Sequence, residues 1–421
     1  MEEKLNHEVL QRRARLGVVW LLVRTVVLQL AVLGGNVVLA RVLSPADFGL
    51  FAIVQFAISF FLFFGDAGLG GALIQKQEPP EQHELSSVFW VQIGLAAVLM
   101  VLILVAGDFI RLVWKDLPEG AEWVFRALSL GLLLTVLRVI PSILMERQLL
   151  FGRLAVIEVA GTVGFYASAV VLAVLGFGVW ALVVGTLAQG ILATVLTLVL
   201  RPWKPSLVFD RESLKPILGF GIPYQAKTLI SFVNGAITPV YAGSALGAAA
   251  VGFIHWAQTT AYFPLKLVQI MGRVTFPLYS RLQNDPKAFA ETLGRSIQIC
   301  AFGTFFFIGF FLGMGRQVIH IVFTDKWLPA LPLLYVYASA ISIGFISPVA
   351  AAALDASGRP QIIARLALGW TALNWIVVLF ATPRWGLMGF AAGYSVHVVV
   401  GNLAVLVMMV YIIPGVRVFR R

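Results

Sequence analysis

Roughly a dozen apolar stretches, each long enough to cross a bilayer and joined by short loops, occupy almost the whole of this chain. They run over about 17–40, 48–74, 88–107, 123–145, 154–176, 179–200, 216–243, 248–272, 291–314, 328–353, 362–381 and 386–412. An even number of spans puts both termini on one side. The fold expected is an all-α polytopic membrane protein of about twelve transmembrane helices.

Composition agrees with that reading and narrows the chemistry. Of 421 residues, 60% are hydrophobic and 12% charged, and a mean hydropathy of +0.91 lies outside the range of soluble globular domains. The single cysteine, Cys300, excludes a disulfide framework or a thiolate metal cluster. Five histidines are scattered without ligand spacing, and no Gly-rich phosphate loop, nucleophile elbow or HExxH stretch is present. Neither an enzyme nor a metal or cofactor protein is expected.

A net charge of +11 would suit nucleic acid, but the cations gather in alternate loops rather than on one aromatic-interleaved surface. Membrane topology explains them better. Lys and Arg favour one set of loops over the other by roughly three to one, and the positive-inside rule makes that set, with both termini, cytoplasmic. The opening MEEKLNHEVLQRRARLG reads as a retained cytoplasmic lead-in, since no small-residue cleavage pattern follows.

The longest polar connection near the middle, RPWKPSLVFDRESLKP, divides the spans into two sets. The organisation expected is an N-terminal six-helix bundle over 1–200, a cytoplasmic linker over 201–215 and a C-terminal six-helix bundle over 216–421, arranged around a central cavity. Such a duplication suits alternating access. No outer loop exceeds about 20 residues, too little for an extracytoplasmic catalytic domain.

With Arg295 and Arg365 counted in the cytoplasmic segments at the ends of their spans, five cations fall within spans: Arg24, Arg126, Arg138, Lys227 and Lys266. A charge at the membrane midplane costs roughly 2.5 to 3.5 kcal/mol on insertion scales, so such residues line internal polar surfaces. Lys227, Ser231, Asn234 and Thr238 share one helical face of the seventh span. His255, Thr259, Tyr262, Lys266, Gln269 and Arg273 share one face of the eighth. Arg24, Lys227 and Lys266 suit a phosphate or pyrophosphate group. Arg138, Asn234, His255, Tyr262 and Gln269 suit sugars or a cavity wall. The competing reading pairs Arg24 with Asp66 and lets Lys227 and Lys266 bond carbonyls or snorkel. Arg126 and Glu158 lie near membrane boundaries and read as interfacial.

Asp66, a buried carboxylate in GDAGLGGALIQK, is a candidate for proton or sodium coupling. The rival and favoured reading is structural, with Gly65, Gly68, Gly70 and Gly71 bending the span and Asp66 satisfying freed backbone donors. Pro223, Pro239, Pro264 and Pro277 predict further bending beside the two polar stripes.

Several segments, in order, resemble the polysaccharide-lipid flippases of the Wzx type and its colanic acid and teichuronic acid exporter relatives, within the MATE-like multidrug, oligosaccharidyl-lipid and polysaccharide exporter superfamily. They are LARVLSPADFGLFAI, GDAGLGGALIQ, ERQLLFGRLAVIE, GFGVWALV, ALGAAAVGFIHWAQTTAYFPLKLV, VTFPLYSRLQND, KWLPALPLL and AALDASGRPQ. The resemblance implies translocation of an undecaprenyl-diphosphate-linked oligosaccharide across the bacterial inner membrane for O-antigen, capsule or exopolysaccharide synthesis. It implies Arg24 and Lys266 as diphosphate ligands. The driving force stays open among a proton gradient, a sodium gradient, membrane potential and downstream consumption of the glycan, and other polysaccharide-assembly proteins are candidate partners. Two departures stand out. The seventh span has Asn234 without the acid that follows in many relatives, and no two additional C-terminal spans follow the twelfth. The alternatives are a cation-coupled multidrug antiporter of the same fold, which would want a carboxylate-lined cavity, and a membrane glycan polymerase or glycosyltransferase, which would want acidic residues on an outer loop.

Overall fold

A computed structural model describes residues 7–66, 68–76, 78–282, 285–356 and 360–412, with backbone alone over some helical stretches such as 7–23. Among the described residues the ordered elements are all helical. The first nine are α1 (His7–Val42), α2 (Pro45–Asp66), α3 (Leu69–Gln75), α4 (Gln82–Ala106), α5 (Ile110–Val113), α6 (Ala121–Arg147), α7 (Phe151–Val174), α8 (Val179–Leu200) and α9 (Arg211–Ala236). They are followed by α10 (Gly243–Leu246), α11 (Ala248–Ala261), α12 (Phe263–Leu282), α13 (Pro286–Val318), α14 (Leu331–Ile341), α15 (Ile346–Ala356) and α16 (Pro360–Ile412).

Ten helical stretches of the described residues are long and apolar enough to cross a membrane, fewer than the twelve expected. Two differences account for this. The stretch Gln361–Tyr411 covers two expected spans, since α16 is made of two helices that meet at a kink, Gly386 at φ 55° and ψ −135°. The expected span 248–272 is split between α11 and α12 at Tyr262, and Lys266, Arg273 and Arg281 leave α12 too polar to count.

Some of the anticipated bends are present, while α9 and α12 run as unbroken helices through Pro223 and Pro277. The second span breaks after Asp66, and Gly68 takes up a left-handed conformation at φ 72° that a side chain would disfavour. Pro239 lies within a π-helical segment, Ile237–Ala242, that continues α9, where its missing N–H leaves the α-helical ladder incomplete. Pro264 follows directly on the break at Tyr262.

The chain forms two compact units, Met1–Leu229 and Ile230–Arg421. In the first, α7 packs along α1 and α8 while α6 packs along α4 and α8. Leu39 and Leu43 of α1, Ala169 and Ala173 of α7 and Ala181 and Leu182 of α8 make one buried seam. In the second, α12 packs on α13 and α15, α15 on α16, and α14 on α11 and α16. Tyr279, Leu293, Ala350, Val405 and Met409 lie at the centre of its core.

The division between units falls inside α9, not in the connection 201–215 where the polar sequence places it. The reason is a strap. The Gln82 amide donates to the Lys204 carbonyl at 2.7 Å, and the Trp203 indole donates to Gln82 at 3.0 Å. The Trp90 indole donates to the Ser206 carbonyl at 2.8 Å, while the Ser206 and Asp210 backbone N–H groups donate to Ser86 and Ser87 at 2.9 and 2.8 Å. Leu214 and Ile217 then join Leu73, Leu85, Phe89 and Ile143 in one core cluster. A segment polar in composition is thus bonded down on the N-terminal end of α4.

Candidate functional site

In the first unit the polar face of α6 is set by spacing: Arg138, Ser142 and Glu146 recur every four residues and so lie along one side. Facing them are Arg24 of α1, Glu158 of α7 and Gln189 of α8, and together these residues line a cavity of about 330 Å³. Glu146 is exposed and stands beside the turn into α7. Arg138, eight residues back along the helix, is about 12 Å deeper. The cavity therefore descends from a helix turn into the apolar part of the bundle.

The ion pair at its wall joins Arg24 to Glu158. Among the described residues the partner of Arg24 is Glu158, while the side chain of Asp66, the partner weighed from sequence, lies outside them. Glu158, expected near a membrane boundary, lines the cavity. Among the described residues the Arg24 Nε is buried without a hydrogen-bond partner. Arg138 has no ion pair among the described residues, although the Glu158 charge acts on it. Ser142 and Gln189 add a hydroxyl and an amide. Arg126, by contrast, is consumed structurally, with its Nε donating to the Leu104 carbonyl at 3.0 Å, Nη2 donating to Asp108 at 3.2 Å and the guanidinium lying 4.8 Å from the Trp123 ring centroid.

Small residues let α1 approach α7 beside this cavity. Gly35 lies against the Tyr166 ring, where a Cβ would collide, and the Tyr166 hydroxyl donates to the Asn36 side chain at 3.2 Å.

In the second unit the polar stripe of the eighth span is divided at Tyr262. His255 and Thr259 on α11 are exposed, Tyr262 and Lys266 are half-buried, and the Lys266 charge reaches the His255 imidazole. Lys266 has no ion pair among the described residues. Tyr262 leads inward: its ring packs edge-on to Tyr337 at 6.2 Å, Tyr337 on Tyr394 at 5.9 Å, and Tyr394 on His397 at 4.5 Å between centroids. Asn234 accepts a hydrogen bond from the Asn374 amide of α16 at 2.9 Å, leaving its own amide free of that contact.

The side chains of Asp66, Lys227 and Gln269 lie outside the described residues. Sequence reasoning passed over Glu146 and Glu158 as cavity residues. The repeat of Arg138, Ser142 and Glu146 was the available signal for the first, whereas the second is identified only by its neighbours on other helices.

Residues 38–332 match a family described as polysaccharide biosynthesis protein. The lipopolysaccharide biosynthesis protein WzxC of Escherichia coli (strain K12) is 24% identical over 410 residues, spanning 92% of this chain and 79% of that protein. The lipid II flippase MurJ in an inward closed conformation superposes with a TM-score of 0.77 at 16% identity, covering 93% of this chain and 87% of that one. An inward-facing multidrug resistance MATE transporter of the MOP superfamily superposes at 0.68, also at 16% identity, over 93% and 97%. The solved structures share the fold, a multi-pass all-helical membrane architecture, and the match across most of its length settles the kinship: the chain belongs to the polysaccharide biosynthesis protein family.

Proposed function

We propose that the chain flips an undecaprenyl-diphosphate-linked oligosaccharide across the bacterial inner membrane by alternating access, supplying a surface polysaccharide. The observation that carries this reading is the presence of cations on the helices without full compensation: Arg138 in the first unit and Lys266 in the second have no ion pair among the described residues. Such groups are costly in a membrane and are retained where something anionic meets them. A diphosphate diester carries two negative charges and many acceptor oxygens, which charge-assisted hydrogen bonds from Arg and Lys satisfy.

In this reading Arg24, Lys227 and Lys266 engage the diphosphate, and Arg138, Asn234, His255, Tyr262 and Gln269 serve the sugars or complete the polar surface. Asp66 stands as a coupling candidate beside a structural role. Both termini are cytoplasmic by the distribution of Lys and Arg, and a proton or sodium gradient and other polysaccharide-assembly proteins are the proposed partners. The name of WzxC, a lipopolysaccharide biosynthesis protein, and that of MurJ, a lipid II flippase, support the substrate class.

The test is leaflet translocation of a labelled polyprenyl-diphosphate oligosaccharide in liposomes, with the Lys227→Ala, Lys266→Ala double variant alongside. Transport by the parent and not by the folded variant is expected. One observation favours a second reading: Glu146 and Glu158 in the first-unit cavity are groups a cationic drug would use. Expulsion of a cationic dye under an imposed proton or sodium gradient, with no lipid movement, would establish that multidrug antiport instead.

A further inference from the structure

We infer that Glu158 is the internal counter-ion of Arg24 in the empty transporter, and that the substrate diphosphate must displace it to reach the guanidinium. The inference rests on the flippase reading above and adds a competing group to it.

Three observations lead there. Glu158 is ion-paired with Arg24 across α1 and α7, so an intramembrane cation is compensated from within the protein. The cavity holds two guanidiniums, Arg24 and Arg138, and two carboxylates, Glu146 and Glu158. It is formally neutral, and a dianion entering it meets like charge unless a carboxylate withdraws. The Glu158 side chain is also the more accessible member of the pair, 43% exposed against 27% for Arg24. It can turn into water at a small cost, whereas Arg24 remains in the wall.

Donor capacity favours the exchange. A guanidinium offers five N–H groups and a single carboxylate accepts from few of them. Arg24 Nε is left buried without a partner, and Arg138 lies in the same cavity without an ion pair among the described residues. A diphosphate, with oxygens on two phosphorus atoms, can use both guanidiniums at once. When it leaves, Glu158 returns to Arg24, and the empty carrier can reorient without an uncompensated charge.

The charged groups facing Glu158 are Arg24 from α1 and Arg138 and Glu146 from α6, while α8 presents the uncharged Gln189.

The test uses the purified full chain in lipid nanodiscs and a short-chain prenyl diphosphate N-acetylglucosamine, a diester whose phosphates do not titrate near neutral pH. Glu158→Gln is expected to bind it roughly fivefold more tightly than the parent at neutral pH, as loss of one partly exposed ion pair allows. In liposomes the same variant should retain exchange of labelled for unlabelled lipid and slow in net one-way transport, because the empty carrier then returns with Arg24 unpaired. A merely structural role for Glu158 would weaken exchange and net transport alike.

Equal or weaker binding by folded Glu158→Gln overturns the inference and leaves the flippase reading standing. Should Glu158→Gln not fold, Glu158→Asp takes its place: the shorter carboxylate pairs less closely with Arg24, tighter binding is expected, and equal or weaker binding overturns the proposal. A parent that neither binds the diester nor moves lipid removes the flippase reading and this inference together.

Discussion

Asn374 of α16 donates its side-chain amide to the side-chain oxygen of Asn234 on α9 at 2.9 Å, and the neighbouring Trp375 donates its indole N–H to the Val233 carbonyl at 3.1 Å. Asn374 is fully buried, so the first bond cannot be replaced by water. Asn374→Ala should therefore lower stability by about 0.6 to 2 kcal/mol, the range for polar contacts between membrane helices. A lower thermal unfolding temperature in detergent checks this, and Trp375→Phe, which removes a more exposed bond, should shift it less.

Gly35 and Gly34 are adjacent in sequence and opposite in environment. A Cβ on Gly35 would enter the Tyr166 ring, while one on Gly34 meets nothing within 4 Å. Gly35→Ala should cost about 1 to 3 kcal/mol through overpacking of the α1–α7 contact, and Gly34→Ala should be near neutral. Pairing Gly35→Ala with Tyr166→Leu should recover part of the loss in a thermal melt, since the space is then available. Failure of that rescue would place the cost in the backbone of α1 rather than in the contact.

The strap over α4 predicts a protease phenotype. Trp203 packs edge-on to Phe89 at 5.4 Å, and Trp90 holds the Ser206 carbonyl at 2.8 Å. Removing one such bond is worth about 1 kcal/mol, so Trp90→Phe with Ser86→Ala should raise the local opening of the segment roughly tenfold or more. Chymotrypsin cutting at Trp203 and Phe209 reads this directly, and an unchanged rate in a folded double variant would mean that the core contacts of Leu214 and Ile217 hold the segment alone.

These cases also mark how far the sequence can be read. Hydrophobic runs of span length are visible because lipid demands them, and the bends at Gly68 and Pro239 are visible because those residues have few conformations to offer. The strap is not visible, because Ser86 bonds Ser206 across 120 positions and neither serine is unusual in its own neighbourhood. The Arg24–Glu158 pair is hidden for the same reason. Sequence can say that a buried cation needs a partner, but Asp66, on the next helix, attracts attention that belongs to a carboxylate five helical elements further along. At Gly386 sequence and structure agree, since hydropathy ends one span at 381 and opens the next at 386, where the backbone is non-helical.

Lys266 separates function from stability by sign. It is half-buried in α12, has no ion pair among the described residues, and lies where its charge acts on His255, itself a basic group. A cation in that position destabilises the empty protein, by up to roughly 2.5 kcal/mol on insertion scales if it were fully desolvated and by less at its partial exposure. Lys266→Met keeps the length of the side chain and discards the charge. The expected outcome is a higher unfolding temperature together with weaker binding of the diphosphate diester, a trade of the kind seen where a site is held in an unfavourable state for its ligand. Arg126→Met should do the reverse, losing stability through Asp108, the Leu104 carbonyl and the Trp123 ring while leaving diester affinity unchanged. Parallel melts and binding curves on the two variants decide the matter: a lower unfolding temperature for Lys266→Met would mean that the lysine is held by contacts within the protein and is not reserved for an anion.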